Sequence, residues 1–159
     1  MNHLGTLGYV ELESPKRRFV IFGTPNNVNI RTYIENIIET GPKATVWIRS
    51  CDQYYEEQNL TASGVHPYTL EFPDGEGPGK KILKLWRKIL ESYPGETIAL
   101  HCVAGLGRSP LLAGIAMIED GMTPLEVLTI IRGKIPGALN LPQVKYLVNY
   151  KKHRECLLL

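Results

Sequence analysis

With 159 residues, 43% hydrophobic and 21% charged, the chain can bury one core without disulfide or metal staples and has the composition of an ordinary globular domain. Its net charge of +2 excludes bulk affinity for nucleic acid, and no run of about 18 apolar residues is present to span a bilayer. Cysteines 51, 102 and 156 and histidines 3, 66, 101 and 153 are too scattered for a disulfide framework or a metal centre, so neither metal nor cofactor is expected.

The N-terminus, Met1-Asn2-His3-Leu4-Gly5, has neither a basic start nor an apolar stretch, and a cytoplasmic chain is expected. Arg18 to Phe22 reads as a strand that stops at Gly23-Thr24-Pro25. Ile30, Tyr33, Ile34, Ile37 and Ile38 then fall on one face of a helix ended by Gly41-Pro42. Thr45 to Ile48 is a buried strand with Cys51 just past its end. Asp52 to Ser63 reads as a loop with a short helix, and Val65 to Leu70 as another strand. A proline- and glycine-rich loop from Phe72 to Gly79 leads to an amphipathic helix carrying Ile82, Leu83, Trp86, Ile89 and Leu90, closed by Pro94-Gly95.

A strand over 97–101 follows, then a helix apolar on every side from Leu111 to Ile118 and therefore central. Thr123-Pro124-Leu125-Glu126 is a capping box with proline at the first helical position, opening a helix to about Arg132. After a loop over Gly133 to Leu139, a last helix begins near Leu141 with Val144, Leu147 and Val148 on one face. Strands alternating with helices predict an α/β fold with a mostly parallel central sheet flanked by helices. In such sheets ligands sit at the carboxyl ends of the strands, where Cys51 and Cys102 both fall.

The stretch between the fourth predicted strand and its helix, His101-Cys102-Val103-Ala104-Gly105-Leu106-Gly107-Arg108-Ser109, has the composition of an anion cradle. Gly105 and Gly107 let the loop curl so that successive amides point inward, and the helix N-terminus behind adds partial positive charge. Inward amides and a guanidinium favour a thiolate, which is the nucleophile; Cys102 is the candidate. Arg108 can grip two oxygens of a phosphoryl group with its planar fork. The amides of Val103, Ala104, Gly105, Leu106 and Gly107 would hold the phosphate with it. The Ser109 hydroxyl can hydrogen-bond the sulfur and help it leave when a phosphocysteine is hydrolysed. A nucleotide-binding loop would need Gly-Lys-Ser/Thr, and a dinucleotide fingerprint a third glycine where Pro110 stands.

Transfer of a phosphoryl group to sulfur needs a proton for the departing oxygen. Asp74, bounded by prolines and glycines in the 72–79 loop, is the candidate acid, with Glu71 and Glu76 in reserve. The cradle side chains Val103, Ala104 and Leu106 carry no charge, which disfavours highly charged inositol phosphates and favours phosphoprotein substrates. Two alternatives stay open: a low-turnover binding module using the same pocket, and a phosphoinositide phosphatase.

His101 to Arg108, the Phe-x-Asp-Gly-x-x-Pro loop at 72–78, Arg49-x-Cys51 and Gly137-Ala138-Leu139-Asn140 together resemble the phosphatases of regenerating liver, the type IVA protein tyrosine phosphatases. The similarity runs from about Arg18 to the C-terminus. It implies a dual-specificity phosphatase fold, with Cys102 as nucleophile, Arg108 as phosphate binder and Asp74 as acid. It also implies that Cys51 forms a reversible, regulatory disulfide with Cys102, and it suggests a partner among magnesium-transport mediators of the cyclin M type. Three positions depart from the family pattern. Ser109 stands where the family has alanine, Pro73 replaces the first of two aspartates, and Ile135-Pro136 replaces a basic pair beside the region that binds that partner.

Residues 1–150 read as one phosphatase domain and 151–159 as a basic tail. Cys156-Leu157-Leu158-Leu159 is a Cys-aliphatic-aliphatic-X box whose leucine favours a geranylgeranyl chain. Lys151, Lys152 and Arg154 supply the second signal that a single lipid chain needs against an anionic membrane. The expected location is the cytoplasmic face of the plasma or endosomal membrane, with part of the protein cytosolic.

Overall fold

The structure, a computed structural model, describes residues 8–153. Five strands, β1 (Val10–Glu13), β2 (Arg18–Gly23), β3 (Val46–Arg49), β4 (His66–Thr69) and β5 (Ile98–Cys102), form one sheet in the order β1-β2-β5-β3-β4. The last four run parallel and β1 pairs antiparallel to β2, so the sheet is mostly parallel, as expected. The helices are α1 (Ile30–Ile34), α2 (Gln58–Thr61), α3 (Lys80–Ser92), α4 (Arg108–Glu119), α5 (Pro124–Lys134) and α6 (Leu141–Val148).

Because both faces of the sheet are covered, its inner strands are apolar at nearly every position. The twofold alternation along each strand sorts side chains between two cores. Phe19, Ile21, Val46, Ile48, Ile98 and Leu100 face α3 to α6, whereas Val20, Phe22, Trp47 and Ala99 face α1, Tyr55 and Leu60. Fully burying each large side chain stabilises the fold by about 1.5–3 kcal/mol. α4 is the central helix: every residue from Arg108 to Ile118 is buried, and its Leu112 carbonyl accepts the Trp86 indole N–H at 2.9 Å. At its far end Asp120 takes a hydrogen bond from Ser14 and two from the Arg17 guanidinium, which ties the β1–β2 hairpin to the helix.

Two elements differ from expectation. β1 is a strand that the sequence pattern hides, because in Val-Glu-Leu-Glu only Leu12 is buried. The helix expected through Ile38 is α-helical only to Ile34 and continues as a π-helical turn over Glu35–Glu39, with Thr40 N–H bonding five residues back to Glu35. Ile37 is buried and Ile38 only partly so. Among the described residues no helix is long and apolar enough to cross a membrane.

Candidate active site

β5 delivers Cys102 at its carboxyl end, and α4 starts at Arg108, so the five residues between must turn the chain within one short loop. Three of its five carbonyls are occupied: Val103 accepts from Thr24 N–H (3.1 Å), Leu106 from Leu139 N–H (2.9 Å) and Gly107 from Leu111 N–H (3.0 Å). The amides of residues 103–107 donate to no group among the described residues. A loop that commits carbonyls to neighbouring segments and leaves its successive amides uncommitted is suited to hold an anion. Gly105 is required: its φ is +73°, and a Cβ there would also lie 3.1 Å from the Phe22 carbonyl.

Cys102 is 3% exposed and Arg108 8%. They line a cavity of about 310 Å³ with Asp74, Ala104, Asn140 and Gln143. Arg108 donates from Nη1 to the Phe72 carbonyl at 3.2 Å, while its buried Nε has no hydrogen bond among the described residues and lies 3.6 Å from Asp74 Oδ1. The arginine thus reaches from the cradle to the acid loop. Asp74 itself is 83% exposed at the cavity mouth. Glu71 and Glu76 are absent from the cavity wall; Glu71 shares a hydrogen bond with Asp52, which raises its proton affinity.

The acid loop is fixed by α6, a contribution that local sequence does not mark. Asn140 Nδ2 donates to the Gly75 carbonyl (3.0 Å), Gln143 Nε2 to the Glu76 carbonyl (3.4 Å), and the Tyr146 hydroxyl to the Pro78 carbonyl (3.0 Å). Gly77 lies flat on the Tyr146 ring, where a Cβ would come within 2.2 Å of it. Asn140 and Gln143 also form a capping box that starts α6. Gln143 therefore touches the acid loop, the helix start and, at Gly107, the cradle. The only available signal was an Asn-x-x-Gln spacing after a loop.

Ser109 Oγ is buried and has no hydrogen-bond partner among the described residues, Cys102 included. Ser109→Ala removes that hydroxyl without leaving a large void. It is expected to lower steady-state turnover several-fold and to enlarge the initial burst of product relative to it, as read by stopped-flow. An unchanged ratio would deny the hydroxyl a part in breakdown of the intermediate.

Behind the cradle lies a buried polar layer. Ser50 N–H bonds the His101 carbonyl at 3.0 Å, so Cys51 falls just past the strand end, beside Cys102. Both cysteines are free thiols. Burial pushes the Cys51 thiol up, and the charge of Cys102 adds to this, against a Thr24 hydrogen bond and the Arg108 and Arg49 charges. The His101 ring accepts or donates at 2.6 Å to the Tyr55 hydroxyl through Nε2, and Nδ1 lies 4.0 Å from Cys51 Sγ. Arg49 holds the layer from the side, donating to the Cys51 carbonyl (2.5 Å) and Thr69 Oγ1 (3.0 Å).

Burial, with the Arg49 charge, lowers the His101 pKa to about 3 from the usual 6.5. Between those values the unfolded chain binds a proton that the native protein does not, so stability falls as pH drops below 6.5 and the loss is complete near pH 3. At pH 5 this one group costs about 2 kcal/mol relative to pH 7. Urea midpoints measured at the two pH values check it, and a flat profile would contradict it.

No family model matches the chain. It is 41% identical over 148 residues to a probable protein tyrosine phosphatase type IVA A of Dictyostelium discoideum, covering 91% of this chain and 88% of that protein. It is 36% identical over 146 residues to human protein tyrosine phosphatase type IVA 3, covering 89% and 83%. Among solved structures, a putative protein tyrosine phosphatase from Leishmania major superposes with a TM-score of 0.81 at 28% identity, covering 91% of this chain and 99% of that one. Identity at this level over nine-tenths of the sequence, on a dual-specificity phosphatase fold, means that the chain belongs to the protein tyrosine phosphatase type IVA family and is a cysteine-dependent protein tyrosine phosphatase.

Proposed function

We propose that the chain hydrolyses phosphoprotein monoesters in two steps through a phosphocysteine on Cys102. The observation that carries this reading is the cradle of uncommitted amides over residues 103–107, closed by Arg108 with Asp74 3.6 Å from its Nε. In the first step the Cys102 thiolate attacks phosphorus while the P–O bond to the substrate breaks. The amides and the Arg108 fork stabilise the equatorial oxygens as charge builds on them. Asp74 gives its proton to the leaving oxygen. In the second step water attacks phosphorus, Asp74 takes a proton from it, the P–S bond breaks, and Ser109 steadies the departing sulfur.

Asp74→Asn tests the acid. It is expected to slow hydrolysis of an alkyl or unactivated aryl phosphate by roughly 10²–10⁴-fold, and to slow an activated aryl phosphate much less, because a good leaving group needs no proton. Equal losses on both substrates would remove Asp74 from that role.

The uncharged side chains at 103, 104 and 106, with Val103 and Leu106 exposed at the rim, support phosphotyrosine-type substrates over polyphosphorylated inositols. The same rim supports binding of a protein partner, of which a cyclin M-type transport mediator is the family example. Retention of such a partner by Arg108 variants that no longer turn over would separate binding from catalysis. Cys51, two residues beyond the strand paired with the strand of Cys102, supports a regulatory Cys51–Cys102 disulfide formed under oxidation.

Residues 1–150 are then the catalytic unit and 151–159 a membrane tether. The tether is proposed to carry a prenyl group on Cys156, aided by Lys151, Lys152 and Arg154, on cytoplasmic membrane faces. Cys156 and Arg154 lie outside the described residues. Their sequence supports the reading, and the intact mass of protein from eukaryotic cells tests it.

A further inference from the structure

We propose that the outer face of α3, joined to the C-terminal end of α6, docks the folded domain against an anionic membrane surface. This rests on the tethering reading above but concerns a different part of the molecule. In α3 the buried positions are Trp86, Ile89 and Leu90, and the opposite side carries Lys80, Lys81, Lys84, Arg87 and Lys88 against a single acid, Glu91. The four lysines are exposed. No lysine is in an ion pair among the described residues.

The basic face continues onto its neighbours. A cleft of about 510 Å³ between α3 and α6 is walled by Leu83, Arg87, Lys145, Tyr146, Tyr150 and Lys151, among others. An adjoining hollow of about 680 Å³ is lined by Arg87, Lys151, Lys152 and His153. Among the described residues no carboxylate lines either. Glu119, which meets Arg87 beneath this face, is committed internally: its Oε1 takes bonds from Arg87 Nε (3.3 Å), the Tyr150 hydroxyl and the His153 N–H (2.9 Å). Arg87 is also bonded to the Tyr150 hydroxyl and lies 5.5 Å over that ring. The internal charges neutralise one another, and the lysines set the outward field.

Chain geometry selects the partner. The His153 N–H bond to Glu119 pins the chain to this face at the point where the tail begins. From His153 to Cys156 is three residues, at most about 11 Å when fully extended, close to the Debye length of about 8 Å at physiological salt. A lipid on Cys156 would therefore hold this face within electrostatic range of the bilayer. Each lysine near an anionic surface strengthens binding about fivefold.

The test uses unlipidated full-length protein sedimented with vesicles of phosphatidylcholine, alone or with about a third phosphatidylserine. Wild-type protein is expected to bind only the anionic vesicles. The triple variant Lys80→Gln, Lys84→Gln, Lys88→Gln is expected to bind them on the order of 100-fold more weakly, with unchanged thermal unfolding and unchanged hydrolysis of an aryl phosphate. Equal binding by variant and wild type would overturn the proposal. So would wild-type protein that ignores phosphatidylserine, even if it binds an acidic polypeptide through the same lysines. Absence of a lipid on Cys156 by mass, with lysine-dependent vesicle binding intact, would remove the anchor and leave the docking face standing.

Discussion

Cys102→Ser is expected to lower kcat by on the order of 10⁶-fold, to the limit of detection, because the sulfur is the atom to which the phosphoryl group is transferred. Serine differs from cysteine only in the size and acidity of one atom, and the site keeps its surroundings: the Gly105 turn, the hydrogen-bonded carbonyls of Val103, Leu106 and Gly107, and the Arg108 contact with Phe72. The variant should therefore fold and still bind inorganic phosphate or vanadate. Turnover of an aryl phosphate, with the thermal midpoint as control, checks it. Residual activity within tenfold of wild type would place the nucleophile elsewhere.

Arg108→Lys carries the second largest effect. The guanidinium makes two different uses of its fork: one nitrogen is fixed on the Phe72 carbonyl while Nε faces Asp74 and the cavity without a hydrogen bond of its own. A lysine ammonium has one nitrogen and cannot do both, nor can it bond two equatorial oxygens in one plane. Arginine that stabilises phosphoryl-transfer charge is worth roughly 10³–10⁵ in rate, and a loss of about 10³-fold in kcat/KM is expected here. Since the positive charge is kept, the loss reports geometry. A loss below tenfold would show that charge alone suffices and that the fork is not used.

These two residues were legible because their chemistry is local: a thiol, an arginine and two glycines within seven positions at a strand-to-helix turn. The parallel sheet was legible for a related reason, since strands covered on both faces are apolar throughout. The unread features depend on contacts distant in sequence. β1 offers one buried side chain in four residues, and its partner supplies the rest of its stability. The π turn at Glu35–Glu39 inserts a residue that a 3.6-residue period absorbs without trace.

Most of what fixes the acid loop comes from α6, 65 to 68 positions away, so Asp74 could be found from its flanking prolines and glycines but its support could not. The same holds for Tyr55. It read as part of a polar loop, yet its hydroxyl meets the His101 ring beneath the cradle.

Rapid acid quench of the wild-type protein during hydrolysis of a ³²P-labelled phosphopeptide measures the central claim most directly. Label is expected on the protein within the first turnover, stable as a thiol phosphate and confined to the peptide that contains Cys102. Burst hydrolysis with no protein-bound phosphorus, or label on any other side chain, would contradict it.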